Sequence, residues 1–342
     1  MSLPLPAPAP SSPDTDHGHD DGTVDSVLYV SRACFEGSAL AQIDSIRRAA
    51  AARNAAMGVS STLICQSGWF MHWLEGPERA ISQVLTRIAR DARHRQMRLL
   101  YRGRTPRLMP MPWSGAVMES PETPQGFARR VESFRLARQA RIPLDPPTLL
   151  RQLSTPSGLL PPEAVCGPGT VQRLMVCASQ AADATGLVHW LAGQHRRKIG
   201  HGRFCGTEPP TLSIRYLDFA AGQTARRLVA LPRPGLRLGI VQALLPDYSH
   251  LLLLFEGEPL QDRALMEELL ASFRPLRRRP ALIGLGLSPA QRPALEGLAR
   301  QAGLEFTGLP LGLPSRGEGS WPALWRTLAP WLMPGSADPA SQ

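Results

Sequence analysis

One histidine stands out among the side chains of this 342-residue chain that can do chemistry. Residues 69–74 read Trp-Phe-Met-His-Trp-Leu. Strand side chains alternate, so Phe70, His72 and Leu74 share one face while Trp69, Met71 and Trp73 share the other. His72 is a lone polar group between apolar neighbours. It faces water or meets a partner, because an unpaired buried imidazole costs roughly 1–3 kcal/mol. Imidazole donates from one nitrogen and accepts at the other, which suits it to bridge two polar groups. A lone strand histidine without a second ligand is a poor metal site. The five cysteines (Cys34, Cys65, Cys166, Cys177 and Cys205) are scattered without C-x-x-C spacing and read as reduced, mostly buried thiols.

A second place for chemistry is a phosphate loop. Such a loop needs glycines for close backbone approach and a lysine for the phosphates, as in G-x-x-x-x-G-K-[ST]. After the apolar run of residues 172–178 the chain reads Ala178-Ser-Gln-Ala-Ala-Asp183-Ala-Thr185. Both glycines and the lysine are missing, Asp183 would repel a phosphate, and only Thr185 survives.

The elements that position these residues follow from periodicity. Residues 27–30 form a short strand. Ser38 caps a helix with Leu40, Ile43, Ile46 and Ala50 on one face. Residues 59–65 and 69–74 are two strands joined by a Gln66-Ser67-Gly68 turn. Residues 78–93 carry the stripe Ile81, Val84, Leu85 and Ile88. Residues 97–101 are a strand, and 108–117 are another, interrupted by Pro110 and Pro112. The order β-α-β-β-α-β-β describes a ferredoxin-like sandwich with two helices on one face of a sheet. A further helix over 124–141 presents Phe127, Val131 and Phe134, which suits a cover for the open sheet face; its arginines read alternatively as a surface for an acidic partner.

Residues 1–23 read as a disordered Pro-rich lead, 146–169 as a Pro-rich linker and 335–342 as a tail. Between them, 170–334 alternate strands with helices. The strands are expected at 172–178, 211–219, 225–231, 250–256, 281–287 and 305–309, and the helices at 185–191, around 265–270, 289–302 and 321–332. That alternation means an α/β layered domain with a largely parallel sheet. Its element order resembles small GTPases of the bacterial regulatory kind. The switch-II glycine motif appears only as Pro234-Gly235 without its aspartate, and the base-reading Asn-Lys-x-Asp is replaced by Gly284-Leu-Gly-Leu287. With the phosphate loop also lost, the expected fold is a degenerate P-loop GTPase-like domain, a pseudo-GTPase kept for contacts and not for hydrolysis.

The N-terminal third resembles the BLUF family, blue-light sensors that hold a flavin noncovalently. Five pieces match in order: Leu28-Tyr29-Val30-Ser31-Arg32, Asn54 followed by Gly58, the hairpin ending Trp73-Leu74-Glu75-Gly76, Asp91-Ala-Arg-His94, and Pro112-Trp113-Ser114. The resemblance covers roughly residues 24–145. It implies an FAD-binding α+β domain with the flavin ring between the two helices. Tyr29 stands at the relay tyrosine, Asn54 at the asparagine of the ring edge and Trp113 at the tryptophan of the last strand. Arg87, Arg93 and His94 stand where cations approach the phosphate tail, and Phe70 shares the pocket face of His72. Each also has a plainer reading: Tyr29 and Trp113 as core residues, Asn54 as a helix cap, and Arg93 and His94 as helix-end cations. Two departures mark this chain. His72 replaces the relay glutamine, and Gly115 replaces the methionine usual two residues after Trp113.

The formal charge of +10 is almost all arginine, with Lys198 the only lysine, and it is spread along the chain. It argues weakly for nucleic acid. No apolar run reaches the ~18–20 residues of a membrane span, and the N-terminus lacks a signal peptide's basic and apolar segments. The expectation is a cytoplasmic, non-enzymatic sensor that binds flavin and an unidentified protein partner, with a homodimer open. The alternative is a light-insensitive adaptor that has lost its flavin.

Overall fold

A computed structural model describes residues 22–332, apart from 111–112, 156–158, 160–170, 179–180, 207–210, 223, 257, 274–278, 315–316 and 318. The expected lead, most of the second half of the linker, the tail, Pro112 and Cys166 lie outside those residues, as do the side chains of 179–183.

The first seven elements follow the expected order. Strand β1 (Thr23–Ala33) leads into helix α1 (Ala39–Ala56). Ser38 caps α1 by accepting from the Ala41 amide. Strands β2 (Ser60–Gln66) and β3 (Trp69–Gly76) form a hairpin whose two turn residues, Ser67 and Gly68, both have positive φ (52° and 72°), the geometry that matches the twist of paired strands. Helix α2 (Glu78–Ile88) ends with its stripe, short of the expected residue 93. Asp91 accepts from the Arg93 amide and from its guanidinium, which turns the chain out of the helix. Strands β4 (His94–Pro106) and β5 (Trp113–Met118) complete the set. The strand expected over 108–117 is thus displaced: Glu75 Oε2 accepts from the amides of Leu108 and Met109, holding that stretch as a loop.

Two helices cover the opposite sheet face. Helix α3 (Pro124–Gln139) buries Phe127, Val131 and Phe134, as its pattern requires. Helix α4 (Pro146–Ser154) corrects the linker reading. Its prolines occupy the first turn, where a missing amide costs nothing, and Asp145 caps it by accepting from the Thr148 amide. Leu149, Leu150 and Leu153 are each at most 2% exposed.

The C-terminal half continues with β6 (Val171–Ala178), α5 (Ala181–His195), β7 (Gly200–Cys205), β8 (Thr211–Ala221) and β9 (Thr224–Pro232). It ends with α6 (Gly239–Leu244), β10 (Tyr248–Leu254), α7 (Pro259–Ser272), β11 (Ala281–Leu285), α8 (Arg292–Gln301), β12 (Phe306–Gly308) and α9 (Trp321–Leu328). Strands β6, β9, β10, β11 and β12 run parallel to their neighbours in this set, and β8 is antiparallel to β9. The leucine run of residues 251–254 is buried on both faces, as a central parallel strand requires.

Strand β7 was not legible, and it changes the architecture. It pairs antiparallel with β5 on one side and β8 on the other. The result is one twelve-stranded sheet in the order β12-β11-β10-β6-β9-β8-β7-β5-β2-β3-β1-β4. The two halves are therefore joined through backbone hydrogen bonds.

Candidate functional site

A cleft of about 450 Å³ opens between α1 and α2 above the sheet, within the size range of cofactor sites. Ala49 and Ala50 keep the α1 wall low, and Arg53 and Asn54 lie further along it. Val84, Arg87 and Ile88 of α2, with Arg90, Asp91 and Arg93 of the following turn, form the other wall. Ser61, His72 and Trp113 make the floor, one each from the adjacent strands β2, β3 and β5.

The alternation of β3 puts His72 on this floor, and antiparallel register sets Tyr29 of β1 opposite it. The Tyr29 hydroxyl lies 2.7 Å from His72 Nδ1, with the rings edge to face at 5.3 Å. Both residues are buried, at 3% and 6% exposure. Burial, with the negative charge of Asp91, pushes the Tyr29 pKa up, so the phenol keeps its proton. Burial pushes His72 down to about 3, with a further push from His94, so the imidazole is neutral. Nδ1 is the partner the structure gives the Tyr29 hydroxyl among the described residues, and the tautomer in which the hydroxyl donates there keeps the buried phenol proton paired. The hydrogen-bond pattern then assigns the imidazole proton to Nε2. That nitrogen is buried and has no partner among the described residues, and neither does the hydroxyl oxygen of Ser61. Two orphaned polar groups in the floor of one cleft are a request for a polar ligand.

Asn54 is 5% exposed and lines the cleft. It is not the helix cap: Met57 holds that position, and Gly58 closes the end at φ +68°. Trp113 is 3% exposed, and its indole lies across Gly115. A Cβ on Gly115 would stand 2.5 Å from Trp113 Cη2 and 2.7 Å from Ile43 Cγ2. The missing methionine side chain is thus the space the indole occupies.

Arg87 and Arg93 line the cleft. Arg93 is held by the Asp91 carboxylate, whose hydrogen bonds raise the Arg93 pKa and lower that of Asp91. Three expected residues fall outside the lining: Tyr29 reaches the cleft only through His72, and Phe70 and His94 lie away from it. Phe70 is buried beneath α1 with its ring 5.7 Å from that of Phe35. His94 opens β4 and sits behind Tyr29, ring centroids 6.4 Å apart. The polar lining residues that were not expected at the site are Ser61, Arg53, Arg90 and Asp91. Ser61 was recoverable, since residues 59–65 alternate and Ser61 shares the face of Leu63. Among the described residues, no group of three or more His, Cys, Asp or Glu is placed to hold a metal.

Residues 24–114 match the family model for BLUF, sensors of blue light using FAD. That segment is a BLUF domain, a module of flavin-binding blue-light photoreceptors that act in signal transduction. Photoactivated adenylate cyclase subunit beta of Euglena gracilis is 36% identical over 74 residues, covering 22% of this chain and 8% of that protein. Subunit alpha from the same organism is 34% identical over 77 residues, with the same two coverages. The chain therefore spans about 8% of the length of these curated relatives. Among solved structures, the dark state of BlrB, a BLUF protein, aligns at 23% identity and a TM-score of 0.26, covering 28% of this chain and 72% of that one.

Proposed function

We propose that the chain is a blue-light sensor that holds FAD, or FMN with the same ring, in the α1–α2 cleft and signals through its C-terminal half. The observation that carries this reading is the orphaned Nε2 of His72, buried in the cleft floor behind a fixed Tyr29. A flavin presents an edge of carbonyl and ring-nitrogen acceptors beside an N–H donor. His72 would donate to that edge, and Asn54, with both a donor and an acceptor, would meet its amide-like part. Trp113 would pack against the ring, and Arg87 and Arg93 would face the phosphates.

Bound flavin supplies light absorption and an acceptor for one electron and one proton. Tyr29 would be placed to give up both, its proton passing to His72 Nδ1 as the proton His72 holds at Nε2 leaves toward the flavin edge, so that the imidazole ends neutral. The buried neutral pair keeps this path dry and uncharged in the dark. His72 has no amide to rotate, so a response in this protein runs through imidazole protons.

The C-terminal half we read as a degenerate GTPase-like module retained for protein contacts. Support comes from the strand order β8-β9-β6-β10-β11-β12, with only β8 antiparallel to its neighbour in that set. Open sheets of this kind bind ligands at the carboxyl ends of strands beside a topological switch point. At the carboxyl ends of β10 and β11 the chain packs on itself. The Gly286 amide donates to the Leu311 carbonyl, Leu313 is fully buried and stands against Gly286, and Asp262 accepts from the Glu256 amide and from Gln291. GTP titrated into the full chain is expected to release no heat; saturable binding would contradict the reading.

The test of the light-sensing function is an absorption spectrum of the purified protein before and after blue light, beside His72→Gln. A reversible shift of a flavin band in the native protein supports a histidine relay. A flavin protein that responds only as His72→Gln has its switch blocked at that residue. The replacement of an amide by His72 keeps this second reading, a light-insensitive adaptor, in play, and a colourless protein that refuses added flavin would establish it.

A further inference from the structure

We propose that Cys205, on β7 and outside the segment that matches the family model, is a positioning residue for Trp113, so that the C-terminal half completes the floor of the cleft. The inference rests on the flavin reading above. β5 has two edges. One pairs with β2, setting Trp113 beside Ser61. The other pairs with β7: Gly115 with Cys205, Ala116 with Phe204, Val117 with Arg203 and Met118 with Gly202. Register partners in a ladder present their side chains to the same sheet face. Gly115 has no side chain and lies under the indole, so the first side chain beyond it on that face is Cys205. Cys205 is 3% exposed and belongs to the buried cluster of Ile43, Leu63, Cys65, Phe70 and Trp113. Helix α1, which carries Asn54 to the cleft, packs on both β5 and β7.

Trp113 and the helix that carries Asn54 thus both pack against a strand of the other half. β7 is itself held from both sides. Its other edge pairs with β8, and at its start the His201 carbonyl accepts from the Glu119 amide while the Tyr216 hydroxyl donates to the Glu119 carbonyl. Whatever orders Trp113 therefore steadies the β5–β7 ladder. Linkage makes the effect mutual, since a ligand that tightens the ladder must bind more tightly when the ladder is tight.

The test uses the full chain in the dark, with FMN as the probe. FMN affinity is read by flavin fluorescence quenching in the native protein, Cys205→Phe and Cys205→Ala, and amide exchange of residues 202–205 is followed with and without FMN. A phenyl ring at 205 has to displace the indole or α1, so Cys205→Phe is expected to bind about tenfold more weakly or worse, about 1.4 kcal/mol. Cys205→Ala, which takes the thiol from beside the indole, is expected to bind about threefold more weakly than native, a smaller step than Cys205→Phe. FMN is expected to slow exchange at 202–205 in the native protein. Native-like affinity in both variants, with exchange at 202–205 indifferent to bound FMN, overturns the proposal and leaves the flavin reading intact. A native protein that takes up no FMN overturns the flavin reading and the proposal with it. Should Cys205→Phe fail to fold by far-UV circular dichroism, the exchange arm on native protein decides.

Discussion

At the scale of residues, burial sets the charge state of the Tyr29–His72 pair before any ligand arrives. In the unfolded chain His72 titrates near 6.5, and in the folded protein near 3. Between those values the unfolded state binds the additional proton, so stability falls as pH drops from 6.5 toward 3, at up to about 1.4 kcal/mol per pH unit. Glu75 runs the other way. Burial raises it from 4.5 to about 7, against the pull of its two amide partners and Arg107, so its contribution is present below 4.5 and lost as pH rises through 7. Comparing variants separates the two. Urea unfolding at pH 7 and pH 5 is expected to show the native protein losing roughly 1–2 kcal/mol more than His72→Gln; equal losses would count against a buried neutral imidazole. Gly115 makes a steric prediction. Gly115→Met has no room beside Trp113 Cη2 and Ile43 Cγ2, and overpacking of this kind costs about 1–3 kcal/mol. Loss of stability together with flavin affinity is expected, and an unperturbed variant would mean that the indole does not fill that space. His72 was legible because a strand's period fixes its face. Its Tyr29 partner came from motif resemblance, and the register that joins them is a long-range fact that no local pattern carries.

At the scale of elements, the joint between the halves is built around α4, the helix hidden in a proline-rich sequence. The Arg130 guanidinium of α3 donates to the carbonyls of Gln152, Leu153 and Thr155 at 2.5–2.7 Å, satisfying the open end of α4. It also pairs with Glu122, both side chains being 5% exposed. The end of α4 is bound to both halves of the sheet: Gln66 of β2 donates to the Ser154 carbonyl, and Arg173 of β6 donates to the Ser154 hydroxyl. Removing one member of a buried pair strands the other, at a cost of about 3–5 kcal/mol. Glu122→Ala is therefore expected to destabilise the protein by about that amount in urea titrations, whereas a change below about 1 kcal/mol would mean that the carbonyls alone satisfy Arg130. Sequence missed α4 because Pro146 and Pro147 read equally as a linker and as a helix start. It missed β7 because Gly-His-Gly-Arg-Phe-Cys contains no β-branched residue, and pairing on both edges outweighs that weak propensity. The amphipathic helices α1, α2 and α3, and the hairpin of β2 and β3, were legible because each shows its period and its cap or turn locally.

At the scale of the whole molecule, a continuous twelve-stranded sheet makes the halves one mechanical body. No helix among the described residues is long and apolar enough to cross a membrane. The sheet ends in two protected strands. β12 is three residues long, and β4 carries Arg95, Arg98, Arg102 and Arg104 with two register shifts against β1, both recognised means of discouraging edge pairing. Thermal unfolding followed by tryptophan emission and by far-UV circular dichroism is expected to give coincident transitions; two separated transitions would show that the β5–β7 seam does not couple the halves. The division of the chain into a sensor and an α/β unit could be read from its motifs and alternation. Their fusion could not, since it depends on two short strands about ninety residues apart meeting edge to edge, a pairing set by topology. The most direct test of the central claim, that the cleft takes its flavin through a Tyr29-fixed His72, is the imidazole nitrogen spectrum of His72 recorded by NMR as FMN is added. The expected result is a neutral imidazole with its proton on Nε2, and an Nε2–H resonance that moves and sharpens as FMN binds. A proton on Nδ1, or an Nε2–H signal unchanged while FMN is taken up, would contradict it.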